Sequence, residues 1–125
     1  MRFDRNDTLG QNNGGGICVF VNQKWCSQFT PRESVCNPDI ELVCLSLFYP
    51  LHLPHELGDI LLCSVYIPAS GDTAEAATLI ADCVHRQLLR TQESPWFIVS
   101  HFNHRKLEVV LLGFKPYVDC KTLGN

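Results

Sequence analysis

Side chains that could do chemistry are concentrated in residues 96–104, which read WFIVSHFNH. The apolar run that follows Pro95 and ends in polar residues predicts a buried strand over 96–100. His101 and Asn103 come at its carboxyl end, and because they lie two residues apart, an extended backbone would place both on one face. An imidazole can act as a base near neutral pH. The end of this strand is therefore the first candidate for an active site.

Two His-x-x-His pairs raise the question of zinc. His52 and His55 flank Pro54 in a stretch with loop composition, while His101 and His104 lie at a strand end. A spacing of three residues on a strand points side chains to opposite faces, so the second pair does not converge. Neither pair favours a metal site, and we expect none.

Seven cysteines occur without a Cys-x-x-Cys motif, and their number is odd. Several lie inside apolar runs, such as Cys18 between Ile17 and Val19, which is typical of buried free thiols. This pattern favours an intracellular, reducing compartment over a disulfide framework, with nucleus and cytoplasm both open. No cysteine stands in a context that indicates a nucleophile.

The composition describes one globular domain. The chain has 125 residues, of which 46% are hydrophobic and 18% charged, and its net charge is −3. These values argue against a protein that binds by neutralising many phosphates, but they do not exclude a nuclease. The longest apolar runs are too short to span a bilayer, and the N-terminus lacks the pattern of a signal peptide, so we expect no membrane partner.

The elements that must position residues 96–104 follow from periodicity and turn signals. Asp72 and Glu75 form a capping-box pattern before an apolar stripe at helical spacing, which predicts a helix over 72–91. A strand–helix–strand order implies a crossover that covers one face of a sheet. The full prediction is a flexible segment 1–16, strands at 17–21, 41–48, 59–67, 96–100 and 117–121, and a second short segment at 25–29. Connections are predicted at 30–39 and 49–58, and a short helix at 105–112.

Five motifs in order give the chain a family resemblance. They are GGGICVFVN at 14–22, Trp25-Cys26, SVYIP at 64–68, FNH at 102–104 and FKPYVDCKT at 114–122. Their order resembles the endonuclease/exonuclease/phosphatase superfamily, and most of all the endonuclease domain of LINE-type (non-LTR) retrotransposons. The resemblance covers nearly the whole chain, and the order and spacing are more specific than any single motif.

That resemblance implies an α/β (α+β) fold, a partial four-layer α/β/β/α sandwich of mainly antiparallel sheets with outer helices. It also implies magnesium-dependent hydrolysis of a phosphodiester bond in DNA, the nick that primes reverse transcription. Asn103 matches the family's Asn, which helps bind the phosphate or transition state. Tyr66 matches a Tyr that contacts the scissile phosphate. DNA as partner and magnesium as cofactor are implied by the resemblance alone.

The chain departs from the family pattern where the chemistry is done. Ser100 and His101 replace the Gly and Asp of the family's Gly-Asp-Phe-Asn, and a neutral imidazole is a poor ligand for magnesium. The family's early metal-binding Asn and Glu and its late Asp-His pair have no counterpart here. We therefore expect 17–125 to be the central part of the domain, with no metal ligands, vestigial site residues and no remaining activity.

A second interpretation belongs to a different class. In it the chain is a non-catalytic structural or interaction remnant with no nucleic-acid role. In either case a truncated sandwich would leave strand edges and apolar faces exposed, so we expect self-association.

Overall fold

The structure is a computed structural model that describes residues 2–4, 16–90, 94–101 and 113–115. At residues 2–4 and 101 the description is of the backbone alone. Asn103, the short helix predicted at 105–112 and the strand predicted at 117–121 lie outside the described residues.

A mixed four-stranded sheet and one long helix dominate the described part of the chain. The elements are β1 (Arg2–Asp4), β2 (Gly16–Cys18), β3 (Gln28–Cys36), β4 (Glu41–Phe48), β5 (Asp59–Tyr66), α1 (Thr73–Leu88) and β6 (Trp96–His101). The large sheet has the order β3-β4-β5-β6, with β3, β4 and β5 antiparallel and β6 parallel to β5. β1 and β2 form a separate antiparallel pair. The predicted α+β class is confirmed.

Helix α1 begins where its capping signal predicts. The Asp72 carboxylate accepts hydrogen bonds from the backbone N–H groups of Ala74 and Glu75, at 2.8 and 3.2 Å. These two bonds satisfy amide groups that have no partner inside the helix. The apolar stripe of α1 packs on the sheet, and the core there contains Ile40, Leu42, Cys44, Cys63, Val65, Ile67, Ala76, Ala77, Ile80, Cys83 and Val84.

Strand β4 is buried along both faces, as its continuous apolar sequence predicts. Leu42 and Cys44 face the helix. Val43 and Leu45 lie on the opposite face, where they pack against Val19, which follows β2. The β1–β2 side of the molecule therefore supplies a second layer over the centre of the sheet. Arg2–Asp4 takes part in this pair although it lies inside the segment predicted as flexible.

The prediction of a connection over 30–39 is wrong, because β3 occupies most of it. Among the described strands β3 lies at an edge of the sheet, where a proline need not donate to a neighbour, so Pro31 is tolerated. The register shifts between Pro31 and Glu33, a bulge that accommodates Arg32 as an extra residue. The turn that follows is closed by Asn37, whose side-chain oxygen accepts from two backbone N–H groups.

Among the residues that the structure describes, no helix is both long and apolar enough to cross a bilayer.

Candidate functional site

The parallel pairing of β5 and β6 brings two of the predicted site residues to one edge of the sheet. In this pair Tyr66 and His101 are Cα partners, and each is the last residue of its strand. The crossover through α1 makes the strands parallel, so both carboxyl ends meet at the same edge. The Tyr66 side chain is half-buried. Asn103, the third predicted site residue, lies beyond the described part of β6.

A third residue, which the sequence did not reveal as a site residue, lies at the same edge. Glu41 opens β4 and is the Cα partner of Tyr66 on its other side. The Cα atoms of Glu41, Tyr66 and His101 thus form a row across three strands, which we call the cross-strand row. Directly paired residues share a face, so the Glu41 carboxyl group and the Tyr66 phenol lie on the same side of the sheet. Glu41 is only 4% exposed, an unusual burial for a carboxyl group.

The signal that could have revealed Glu41 was present in the sequence. It is the single charged residue of a strand that is largely apolar on both faces, and it stands at the start of that strand. What the sequence could not supply was the register of β4 against β5, since a ten-residue loop separates the two strands and leaves several pairings open.

The cross-strand row offers a hydrogen-bond acceptor and a hydroxyl donor, but not the ligands of a magnesium site. Glu41 supplies the only carboxylate in the row, and magnesium requires near-octahedral oxygen coordination. Among the described residues, no group of three His, Cys, Asp or Glu side chains is arranged to hold a metal ion. His52 and His55 are both exposed in the loop before β5 and belong to no such group. The residues described here therefore do not fit the magnesium that the resemblance implies.

Ser100, the replacement for the family's glycine, is also informative. Its Oγ is shielded from solvent and has no hydrogen-bond partner among the described residues. A hydroxyl group in that state is less favourable than no side chain at all, because burial removes its bonds to water.

A second concentration of reactive groups lies on the helix side of the sheet. Cys44 and Cys63 are Cα partners on β4 and β5, and Cys83 lies on the buried face of α1 that packs on these strands. The Sγ atoms of Cys44 and Cys83 are 3.4 Å apart, and all three residues are fully buried. We call these three residues the thiol cluster. They are free thiols, as predicted, whereas Cys18 is exposed and does not fit the prediction of a core thiol.

The three thiols of the cluster do not ionise alike. Hydrogen bonds from Cys44 and then Cys63 lower the pKa of the Cys83 thiol, against the opposing effect of burial, because they stabilise its thiolate. The pKa of Cys63 is raised, first by its hydrogen bond with Cys44, then by Cys83 and by burial. The proton that leaves most readily is therefore the one on Cys83.

A polar network adjoins the cluster and fastens β3 to α1. The Glu33 carboxylate accepts hydrogen bonds from Arg86 and from Gln87, the latter at 3.0 Å. Burial alone would raise the pKa of the Glu33 carboxyl group, but these two bonds outweigh it and hold that pKa below the ordinary value. The edge strand is thus joined to the helix by a charged acceptor.

Comparison with known proteins neither supports nor contradicts the family resemblance. No family model, no curated protein and no solved structure matches this chain. The assignment to the endonuclease/exonuclease/phosphatase superfamily therefore remains a prediction from the five motifs.

Proposed function

We propose that residues 17–125 are the central part of a metal-dependent DNA endonuclease domain of the LINE type, and that this polypeptide does not itself hydrolyse phosphodiester bonds. One observation carries the family part of the proposal. The motif SVYIP begins in the last residues of β5, and FNH comes directly after β6 in the sequence. Because β5 and β6 are parallel neighbours, Tyr66 and His101 are in register at one edge of the sheet. Such edges are where α/β folds place ligands. A partial four-layer sandwich, with the β1–β2 side as its second sheet, belongs to the same proposal.

The inactive part of the proposal rests on the composition of that edge. His101 stands where the family's water-activating Asp would be, and the cross-strand row contains one carboxylate, Glu41. Hydrolysis assisted by magnesium needs several oxygen ligands and an oriented water at the same time. We therefore derive no catalytic step through the metal for this chain.

A nicking assay on supercoiled plasmid, with magnesium or manganese and with EDTA, tests the proposal. The chain should convert plasmid to the open-circular form at the same background rate with and without metal. His101→Asp should not restore activity, because one carboxylate does not complete the ligand set. Metal-dependent nicking that disappears in Asn103→Ala would refute the inactive part, and recovery of nicking by His101→Asp alone would refute the argument from missing ligands.

The net charge of −3 specifically favours the second candidate, a remnant with no nucleic-acid role, since an acidic protein gains little from phosphate contacts. Fluorescence anisotropy of a labelled DNA duplex at low salt separates the two. Binding that weakens in Tyr66→Ala and falls with added salt supports the endonuclease lineage. A reverse-transcriptase reading frame downstream of the coding region would support the same origin.

Self-association is a further part of the proposal. Phe97 and Val99 on β6 are 46% and 48% exposed, and β6 is the last strand of the sheet in the described part of the chain. Apolar side chains exposed on an edge strand favour pairing with another copy. Light scattering coupled to size-exclusion chromatography should show species larger than the 14.1 kDa monomer.

A further inference from the structure

The thiol cluster brings together two sulfur atoms from elements that are distant in sequence. Cys44 lies in the middle of β4 and Cys83 on the buried face of α1, and their Sγ atoms are 3.4 Å apart. A disulfide bond requires about 2.05 Å between the sulfurs, so closure needs a movement of little more than an ångström.

We propose that Cys44 and Cys83 form a reversible disulfide bond when the protein meets a small uncharged peroxide. In the first step the Cys83 thiolate attacks hydrogen peroxide, forming an S–O bond and breaking the O–O bond, and hydroxide leaves. In the second step the Cys44 sulfur attacks the Cys83 sulfenic acid, the S–S bond forms, and the hydroxyl group leaves as water with the Cys44 proton. Overall, two thiols and one peroxide give one disulfide and two waters.

The sulfur contact defines Cys44 and Cys83 as the reacting pair, and the lowered pKa of the Cys83 thiol distinguishes their roles. Because hydrogen bonding from Cys44 lowers that pKa, the Cys83 thiolate is the group that attacks the peroxide. Cys44 is the thiol in direct sulfur contact, and it retains its proton until the second step. Cys63 faces Cys44 across the strand pair and is the competing partner.

Burial determines which oxidants can take part. All three residues of the thiol cluster are fully buried, so a large or charged reagent cannot reach them in the folded protein. Cys18 and Cys36, by contrast, are exposed. A bulky maleimide applied to the native chain should therefore block the exposed thiols and leave the cluster free for a small oxidant.

Mass spectrometry of the full-length wild-type chain tests the proposal. After the exposed thiols are blocked, the protein is treated with hydrogen peroxide, denatured in N-ethylmaleimide and cleaved before each aspartate. This cleavage places Cys44, Cys63 and Cys83 in separate peptides, 39–58, 59–71 and 82–118. Peptides 39–58 and 82–118 should be recovered linked, two hydrogens lighter than their sum, and dithiothreitol should separate them.

The controls keep the outcome unambiguous. A parallel unblocked sample must show oxidation of Cys18 at the same peroxide concentration, so that a negative result is meaningful. Cys63→Ala should retain the link between 39–58 and 82–118. Recovery of all three cluster cysteines as maleimide adducts would overturn the proposal, and so would a link that joins 59–71 to either of the other peptides.

Discussion

Replacing Glu33 with alanine should lower the free energy of unfolding by about 1–2 kcal/mol. Glu33 holds the Gln87 side chain, which is 2% exposed and donates its Nε2–H at 3.0 Å. Loss of the acceptor removes a bond from a buried amide, and that cost is of order 1–3 kcal/mol before the structure relaxes. Arg86, the other donor, is 49% exposed, so solvent screens its ion pair and its loss should matter much less.

Urea denaturation followed by circular dichroism measures this effect, and its pH dependence checks the cause. The pKa of Glu33 is lowered in the folded state, so the charged carboxylate stabilises the fold above the unfolded-state pKa, about 4.3. That stabilisation is lost as the pH falls through the lower, folded-state value. The difference between wild type and Glu33→Ala should therefore be full at pH 7 and smaller at pH 3. Glu56→Ala, in an exposed loop, is the matched control and should have almost no effect.

Two results would refute this reasoning. If Arg86→Ala destabilises the protein as much as Glu33→Ala, the exposed ion pair and not the buried amide bond carries the energy. If the difference between wild type and Glu33→Ala is the same at pH 7 and pH 3, the carboxylate charge is irrelevant and the substitution acts through packing.

Two further substitutions probe the start of α1. Asp72→Ala removes the acceptor for two backbone amides and should cost about 1 kcal/mol in thermal or urea denaturation, whereas Asp72→Ser should retain most of the stability; equal losses in the two variants would contradict a capping role. Gly71→Ala should lower the free energy of unfolding by about 1–3 kcal/mol, because the added Cβ would lie 2.6 Å from the backbone oxygen of Asp39. Gly58→Ala is the control, since the nearest atom to an added Cβ there is a side-chain carbon at 3.4 Å. If Gly71→Ala is as stable as Gly58→Ala, the backbone around Gly71 relaxes without cost and the steric argument is wrong.

Elements with a strong local signal could be predicted from the sequence. β4 and β5 are continuous apolar runs, and α1 combines a cap with a helical stripe, so each was placed within a few residues of its observed bounds. β3 was missed because its sequence, QFTPRESVC, contains no continuous apolar run, and because Pro31 argues against a strand anywhere except at an edge. Whether a strand lies at an edge is a property of the whole sheet, which a local pattern does not contain.

The candidate site divides in the same way. A parallel crossover between β5 and β6 was implied by the strand–helix–strand order, and with it the meeting of Tyr66 and His101 at one edge. Glu41 depended on strand register and was missed. The contact between Cys44 and Cys83 depended on how α1 is seated on the sheet, which no spacing in the sequence encodes.

The strand order β3-β4-β5-β6 also has a kinetic consequence. The three antiparallel strands are joined by the short segments 37–40 and 49–58, so their pairing requires the closure of small loops only. β6 pairs with β5 only after the chain has passed through 67–95, and a longer loop has a larger closure entropy. We therefore expect the antiparallel strands β3, β4 and β5 to pair first and β6 to dock late. Because the edge with Tyr66 and His101 exists only once β6 has docked, we expect the cross-strand row to be completed late in folding and to open early when the fold loosens.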